Sequence, residues 1–325
     1  MRYRDILSTG ILSALLLCGS VQEGVAQRRL NPRFSPYSTV SFGVGTANYF
    51  GELAGYKQPL NSFKLTRWNA ALAYTRHFTP TLSARASFTY LRLVGDDYMA
   101  SKSNPAKNPA QFARNLHFRN DVKEFAVTGM YQFVPEGRNS NDRPKIAPYL
   151  FFGVALVAHS PEARTPADYA DPNDGNAARK WVKLQPLHTE GQGQPGYAKP
   201  YSLITAAIPI GLGVRYAINE NFSVGGEIGF RYTFTDYLDD VGGDYADPAI
   251  LQGLATVMAD RRLEGVAARK NNDRTAAGAD VLANNPEAFT GTVRGSKGLL
   301  TDGYLISNFH VIYIIPGKIR CPVIK

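Results

Sequence analysis

Eight stretches of the chain alternate apolar residues with small or polar ones: roughly 38–47, 69–78, 82–94, 122–134, 146–158, 202–217, 223–235 and 304–315. Alternation at every second residue marks a β-strand with two unlike faces. The gaps after the second, fourth and sixth stretches are short, and the other four are much longer. Antiparallel barrels that cross a membrane alternate in this way, with tight turns facing the periplasm and long loops facing outward. A spanning strand needs about 9–11 residues, apolar toward lipid and small or polar toward the lumen. The pattern predicts an all-β chain, an eight-stranded antiparallel transmembrane β-barrel.

Faces follow from the alternation. The second stretch sets Leu72, Tyr74 and Phe78 against Ala71, Ala73, Thr75 and His77. The third sets Leu82, Phe88 and Tyr90 against Ser83, Arg85 and Thr89, and Phe78-Thr79-Pro80-Thr81 joins the two as a turn. The fourth offers Phe125, Val127, Tyr131 and Phe133 outward, with Glu124, Thr128 and Gln132 inward. The sixth shows Ile204 to Tyr216 outward at every second position and Arg215 inward. Pro209 sits within it and lacks a ladder donor, so a bulge or local break is expected there. In the seventh, Val224, Ile228, Phe230, Tyr232 and Phe234 oppose Glu227, Arg231 and Thr233. The eighth sets Phe309, Val311, Tyr313 and Ile315 against Asn308 and His310. The fifth is apolar on both faces, which leaves its register open.

The inward set carries both signs of charge: Arg85, Glu124, Arg215, Glu227 and Arg231. The interior of an eight-stranded barrel is just wide enough for side chains to fill it. A plugged, hydrogen-bonded lattice is therefore expected rather than a conducting pore. The competing architecture is a soluble sandwich or a lipocalin-like barrel, whose apolar faces point inward. Periodicity alone does not say which face is wet. The loop alternation, the aromatic strand ends and the start of the chain favour the membrane version.

That start reads as an export signal over 1–26. Arg2 and Arg4 precede an apolar core from Ile11 to Leu17, and Gly24-Val25-Ala26 offers a cleavage site. The mature chain, 27–325, is then one barrel. Leu17 stands where a lipoprotein would place a small residue before Cys18. No later stretch has the roughly 18 consecutive apolar residues of a spanning helix. The net charge of +9 suits anionic lipid head groups or an acidic partner as well as a plain solvated surface. Zinc-finger spacing and RNP-like aromatic signatures are absent, which argues against nucleic acid.

The long loops carry the remaining signals. The insertion at about 236–303 exceeds a structureless connection and is expected to be partly helical. Asp247-Pro248 starts a helix there, with Ile250, Leu251, Leu254, Val257 and Met258 at helical spacing, followed by flexible polar chain from Asn271 to Gly298. Asp236, Asp239, Asp240, Asp244 and Asp247 crowd its beginning. Hard cations favour such crowding, but the spacing is not that of an EF-hand, and a hydrogen-bonded loop anchor is the simpler expectation. Five scattered histidines show no ligand spacing, and His310 has no serine marked as a nucleophilic partner. No cofactor, metal or small-molecule substrate is expected, and no enzymatic activity.

Several segments, in their order along the chain, resemble the PorG-like outer-membrane barrels of the type IX secretion system. They are Asn48-Tyr49-Phe50-Gly51-Glu52-Leu53, Gly95-Asp96-Asp97, Arg114-Asn115-Leu116-His117-Phe118-Arg119, Thr189-Glu190-Gly191-Gln192-Gly193 and Thr235-Asp236-Tyr237-Leu238-Asp239-Asp240-Val241. Glu190, Gln192, Asp236, Asp239 and Asp240 are the motif residues of the most specific two. The insertion at about 249–300 is longer than that pattern needs. The resemblance implies a non-enzymatic anchor in the outer membrane for a periplasmic ring built of a PorK-like lipoprotein and a PorN-like subunit. With both termini periplasmic, Arg28, Arg29, Arg33, Lys318, Arg320, Cys321 and Lys325 are the expected partner contacts, and Cys321 is a candidate for a disulfide to a ring component. A stand-alone surface barrel that binds an external ligand or stabilises the envelope is the alternative.

Overall fold

The computed structural model describes residues 34–54, 64–170, 175, 177–295 and 301–316. The signal segment and the seven tail residues expected to contact partners lie outside them. In chain order the elements are β1 (Tyr37–Phe50), β2 (Arg67–His77), β3 (Leu82–Asp96), α1 (Asp97–Ser101), α2 (Pro109–Arg114), β4 (His117–Gln132) and β5 (Ile146–Ala158). A small hairpin of β6 (Pro161–Arg164) and β7 (Trp181–Lys183) follows, then β8 (Ile204–Ala217) and β9 (Phe222–Thr233). The last loop carries α3 (Leu254–Ala259), α4 (Thr275–Asn284) and α5 (Glu287–Thr290) before β10 (Gly303–Ile315).

Each of β1 to β4 pairs antiparallel with the next, β5 pairs with β8, β8 with β9 and β9 with β10. Pairing of β10 with β1 closes the ring of eight strands, and β6 and β7 extend the wall beyond β4. Closure leaves the ring of eight without a free edge, the condition for strands in hydrocarbon.

The outer wall is apolar. Phe42, Leu72, Phe88, Phe125, Val154, Leu212 and Phe309 are all about half exposed or more, and they come from seven of the eight strands. Their inward neighbours are buried, so the barrel is inside-out relative to a lipocalin. Soluble monomers do not expose a continuous apolar band of this kind, whereas a barrel bathed in lipid must. Aromatic pairs gather toward both strand ends: Trp68 with Tyr90 and Tyr232 with Phe234 at one, Tyr131 with Phe133 and Phe222 with Tyr313 at the other.

Pro209 breaks the β5–β8 ladder without shifting it. Phe152 faces Ile210 and Ala155 faces Ala207, a constant register, while the two positions between are unpaired. The missing donor costs local pairing and no bulge forms. On β5, whose two faces looked alike in sequence, Leu150, Phe152, Val154 and Leu156 face out, and Tyr149, Phe151 and Val157 face in. The inward aromatics fill the lumen.

Two expectations about the last loop need correction. The helix starting at Asp247 stops after one turn, Pro248–Ile250; Asp247 caps it by accepting from the Ala249 N–H. Gly253, at φ +53°, then redirects the chain into α3, a backbone conformation that glycine tolerates best. The polar stretch from Asn271 is also ordered as far as residue 295: α4 buries Val281, and Arg274 before it and Arg294 after α5 are buried too.

Candidate functional site: a filled lumen beneath an ordered lid

The lumen is crossed by ion pairs at different heights. Near the short-turn end, Glu136 bonds to Arg215 and accepts from the Tyr37 hydroxyl at 2.9 Å and from Gln132 Nε2 at 3.1 Å. His77 stacks on Tyr37 with ring centroids 4.3 Å apart and lies 3.7 Å from the same carboxylate. Glu136 belongs to the β4–β5 turn and folds back into the barrel. In sequence it reads as an ordinary polar turn residue, and alternation gave no signal for it.

Farther in, Arg85 donates twice to Glu227, at 2.5 and 3.2 Å, and Tyr149 donates to Glu227 at 3.0 Å. Arg231 donates to Glu124 at 3.3 Å, and Tyr304 donates to the same carboxylate at 2.6 Å. The Phe151 ring lies between the pairs, 4.9 Å from the Arg85 guanidinium and 5.9 Å from that of Arg231. All five charges read from alternation thus join the lattice. A cavity of about 30 Å³ remains, lined in part by Thr39, Ser83, Arg85, Tyr149, Arg215 and His310. That is room for a water or two rather than a path for solutes.

The long-loop end is closed by a lid in which the motif segments interlock. Glu190 Oε1 accepts from the Gly242 and Gly243 N–H groups at 3.0 and 3.2 Å and from Arg294 at 2.9 Å. Asp240 accepts from Thr189 at 2.5 Å and Tyr201 at 2.6 Å, and its backbone carbonyl accepts from Arg294. Gln192 accepts from the Glu190 N–H at 3.0 Å and so shapes the turn that presents Glu190. Asp97 pairs with Arg114 at 2.8 Å, which also donates to the Arg294 carbonyl at 2.7 Å. Asn115, in the left-handed region, reaches the carbonyls of Arg261 and Val266. Arg294 comes from the long insertion, so that segment supplies a cation to the motif residues. No pattern in the sequence singled out Arg294.

Beneath the lid, Tyr49 lies between two carboxylates. Its hydroxyl is 2.7 Å from Asp239 Oδ2 and 2.5 Å from Asp302 Oδ1. A hydroxyl has one proton, so a second proton must sit on a carboxyl for both contacts to be hydrogen bonds. Burial, with Glu52 nearby, holds the Asp239 carboxyl well above the usual range; burial and the neighbouring Asp239 do the same to Asp302. Burial pushes Asp236 up to about 7, helped by Glu52 and Glu190, and pushes Asp240 up to about 6 against the pull of Arg294.

The five aspartates do not form one cluster. Asp239 and Asp240 are internal anchors and Asp247 is a cap. Asp236 instead joins Glu52 and Asp302, each bringing an oxygen within 4.8 Å of the others. Oxygen donors at that spacing are of the type hard cations take. His310 lies in the lumen against Gly43, its cross-strand partner.

No protein-family model and no curated protein matches the chain. Solved structures similar to it at low identity include the following three. Neisserial surface protein A (NspA) is matched over 86% of this chain and 98% of its own, at 9% identity and a TM-score of 0.37. Ail, the attachment invasion locus protein of Yersinia pestis, is matched over 87% and 99%, at 7% identity and a TM-score of 0.35. A major outer membrane protein from Thermus thermophilus is matched over 86% and 100%, at 13% identity and a TM-score of 0.38. These likenesses are distant, and the strand count and the lipid-facing wall stand on the pairing and exposure of this chain itself.

Proposed function

We propose that the chain is a non-enzymatic, non-conducting barrel of the outer membrane that acts by position, anchoring a periplasmic ring of PorK-like and PorN-like proteins in a type IX-like secretion system. The observation that carries the positional part is the filled lumen. Buried pairs at Glu136, Glu227 and Glu124 leave no room for solute passage. The partner part rests on the resemblance. Its support is that the residues bearing it, Glu190, Gln192, Asp239 and Asp240, serve one common structure, the lid. The chain enters β1 and leaves β10 at the short-turn end, since Ser38 pairs with Ile315. With long loops outside, both termini are periplasmic, and Arg28, Arg29, Arg33, Lys318, Arg320, Cys321 and Lys325 meet the ring. Charges at such a rim mainly aid encounter and register.

The test is purification of the full chain from outer membrane in mild detergent. An anchor brings down the periplasmic ring proteins, and truncation after residue 316 releases them. A chain that always purifies alone overturns the anchoring role. The ordered lid favours a second reading, a stand-alone surface barrel presenting that lid to an external ligand. In that case deletions within 249–295 abolish binding to cells, and the tails are dispensable.

A further inference from the structure

At the long-loop end, charge at the outward positions of the described strands is confined to one flank. Beyond the apolar belt, the outward positions of β3, β4, β6 and β7 carry Arg92, Lys123, Arg119, Arg164 and Lys183, with Asp121 and Glu162 among them. At the corresponding outward ends of the other described strands stand uncharged residues: Thr46 and Asn48, Trp68, Ala158, Ile204, Tyr232 and Ser307. The flank is also where the wall is tallest, because the β3–β4 pairing runs up to Asp96 and His117, and β6 and β7 add to its side.

The two acids on this face are already engaged. Asp121 is bonded to Arg92 at 2.5 Å and Glu162 to Arg119 at 2.7 Å. Lys123 and Lys183 are exposed, and no ion pair holds either among the described residues. Two guanidiniums lie over the Trp181 ring, that of Arg119 at 4.1 Å and that of Arg164 at 5.1 Å from its centre. Arg164 keeps a buried Nε without a hydrogen-bond partner. Lys123 lies directly across from Tyr90, which packs on Trp68 at 5.4 Å. The lysine therefore follows the aromatic girdle within one strand position, about 5 Å away, at the height of lipid head groups.

We propose that this flank is a docking surface for anionic lipid, whose phosphates Lys123 and Lys183 attract at separate points, four residues along β4 and two strands apart, and whose acyl chains lie on the apolar wall of β3 and β4. Continuity with the belt selects a lipid over a soluble anion, and the surplus of cations over free acids selects an anionic head group. Unpaired cations near a membrane surface attract such lipids individually and additively. The inference needs the barrel to sit in a membrane but not the anchoring role, so either can fail alone.

The experiment is native mass spectrometry of the full chain in detergent with added phosphatidylglycerol or phosphatidylcholine. Phosphatidylglycerol adducts should persist in preference, and Lys123→Gln with Lys183→Gln should reduce them at least fivefold. Lys123→Arg with Lys183→Arg should keep them, and Lys145→Gln, at the short-turn end, should leave them unchanged. Heat-modifiable gel mobility confirms that each variant is folded. Equal retention of the two lipids, or an equal loss from Lys145→Gln, overturns the proposal. So does a protein captured from outer-membrane extract through the two lysines while lipid adducts stay constant.

Discussion

A Cβ on Gly43 would lie 2.4 Å from Nδ1 of His310, its cross-strand partner. The imidazole occupies the room the glycine leaves on the lumen face, and the contact is with a side chain. Gly43→Ala should destabilise the barrel by about 1–3 kcal/mol through overpacking. Adding His310→Ala should recover most of that loss. Gly45→Ala, whose Cβ would meet the Ser307 carbonyl at 1.8 Å, should have no such rescue, because backbone cannot be trimmed away. Urea unfolding followed by tryptophan fluorescence separates the cases.

Arg85 and Glu227 are 142 residues apart in sequence and doubly bonded in the lumen. Removing one partner leaves the other charge buried and unpaired. Glu227→Ala or Arg85→Ala should cost about 3–5 kcal/mol. Replacing both by methionine should cost less than either single change, since no unpaired charge remains. A double variant as damaged as the sum of the singles would contradict the pairing.

The strand faces and the five lumen charges were legible because lipid and lumen impose opposite chemistry on alternate positions, as Glu227 and Ile228 illustrate. Where that contrast fails, so does the reading. Phe151 looks lipid-facing by composition, yet it packs inward, over Gly211 and Gly229, whose missing side chains make room for its ring. Glu136 lies outside any strand, and its burial depends on a fold-back that no periodicity encodes. The lid depends on contacts such as Arg294 with Glu190, 104 residues apart, and local propensity carries no information about them. The helix after Asp247 failed for a local reason, Gly253, that outweighed apolar spacing.

Arg294 is buried and bonded to Glu190 at 2.9 Å and to the Ala259 carbonyl at 3.2 Å, besides Asp240. Truncating it leaves two buried acids without their cation. Arg294→Ala should open the lid locally, by about 3–5 kcal/mol, while the barrel wall stays intact. Hydrogen exchange should therefore quicken in 189–193 and 236–295 and remain unchanged in β2 and β3. Arg294→Lys should rescue poorly, because an ammonium lacks the planar fork that reaches separate acceptors.

The lid should tighten on acidification. Asp240 and Asp236 are raised from 3.8 to about 6 and about 7, so the folded lid keeps protons that the opened chain has already released. That stabilisation is complete below pH 3.8 and is lost as pH rises through about 6 and then about 7. Protease resistance of the last loop should be greater at about pH 5 than at about pH 8. Tyr49 allows a sharper test. Asp302 Oδ2 accepts from the Leu238 N–H while Oδ1 faces the tyrosine. An asparagine at 302 keeps the first contact and turns an N–H donor toward the hydroxyl oxygen, replacing the proton that the carboxyl must otherwise retain. Asp302→Asn should thus match or exceed the native lid at about pH 8 and flatten its pH dependence. Asp239→Asn should do likewise, for Asp239 Oδ1 accepts from the Val241 N–H and Oδ2 faces Tyr49. The two together should loosen the lid, because the tyrosine proton then has no carboxylate to accept it. An Asp302→Asn chain cleaved faster than the native one under those alkaline conditions would show that the carboxylates, rather than a shared proton, hold the cluster together.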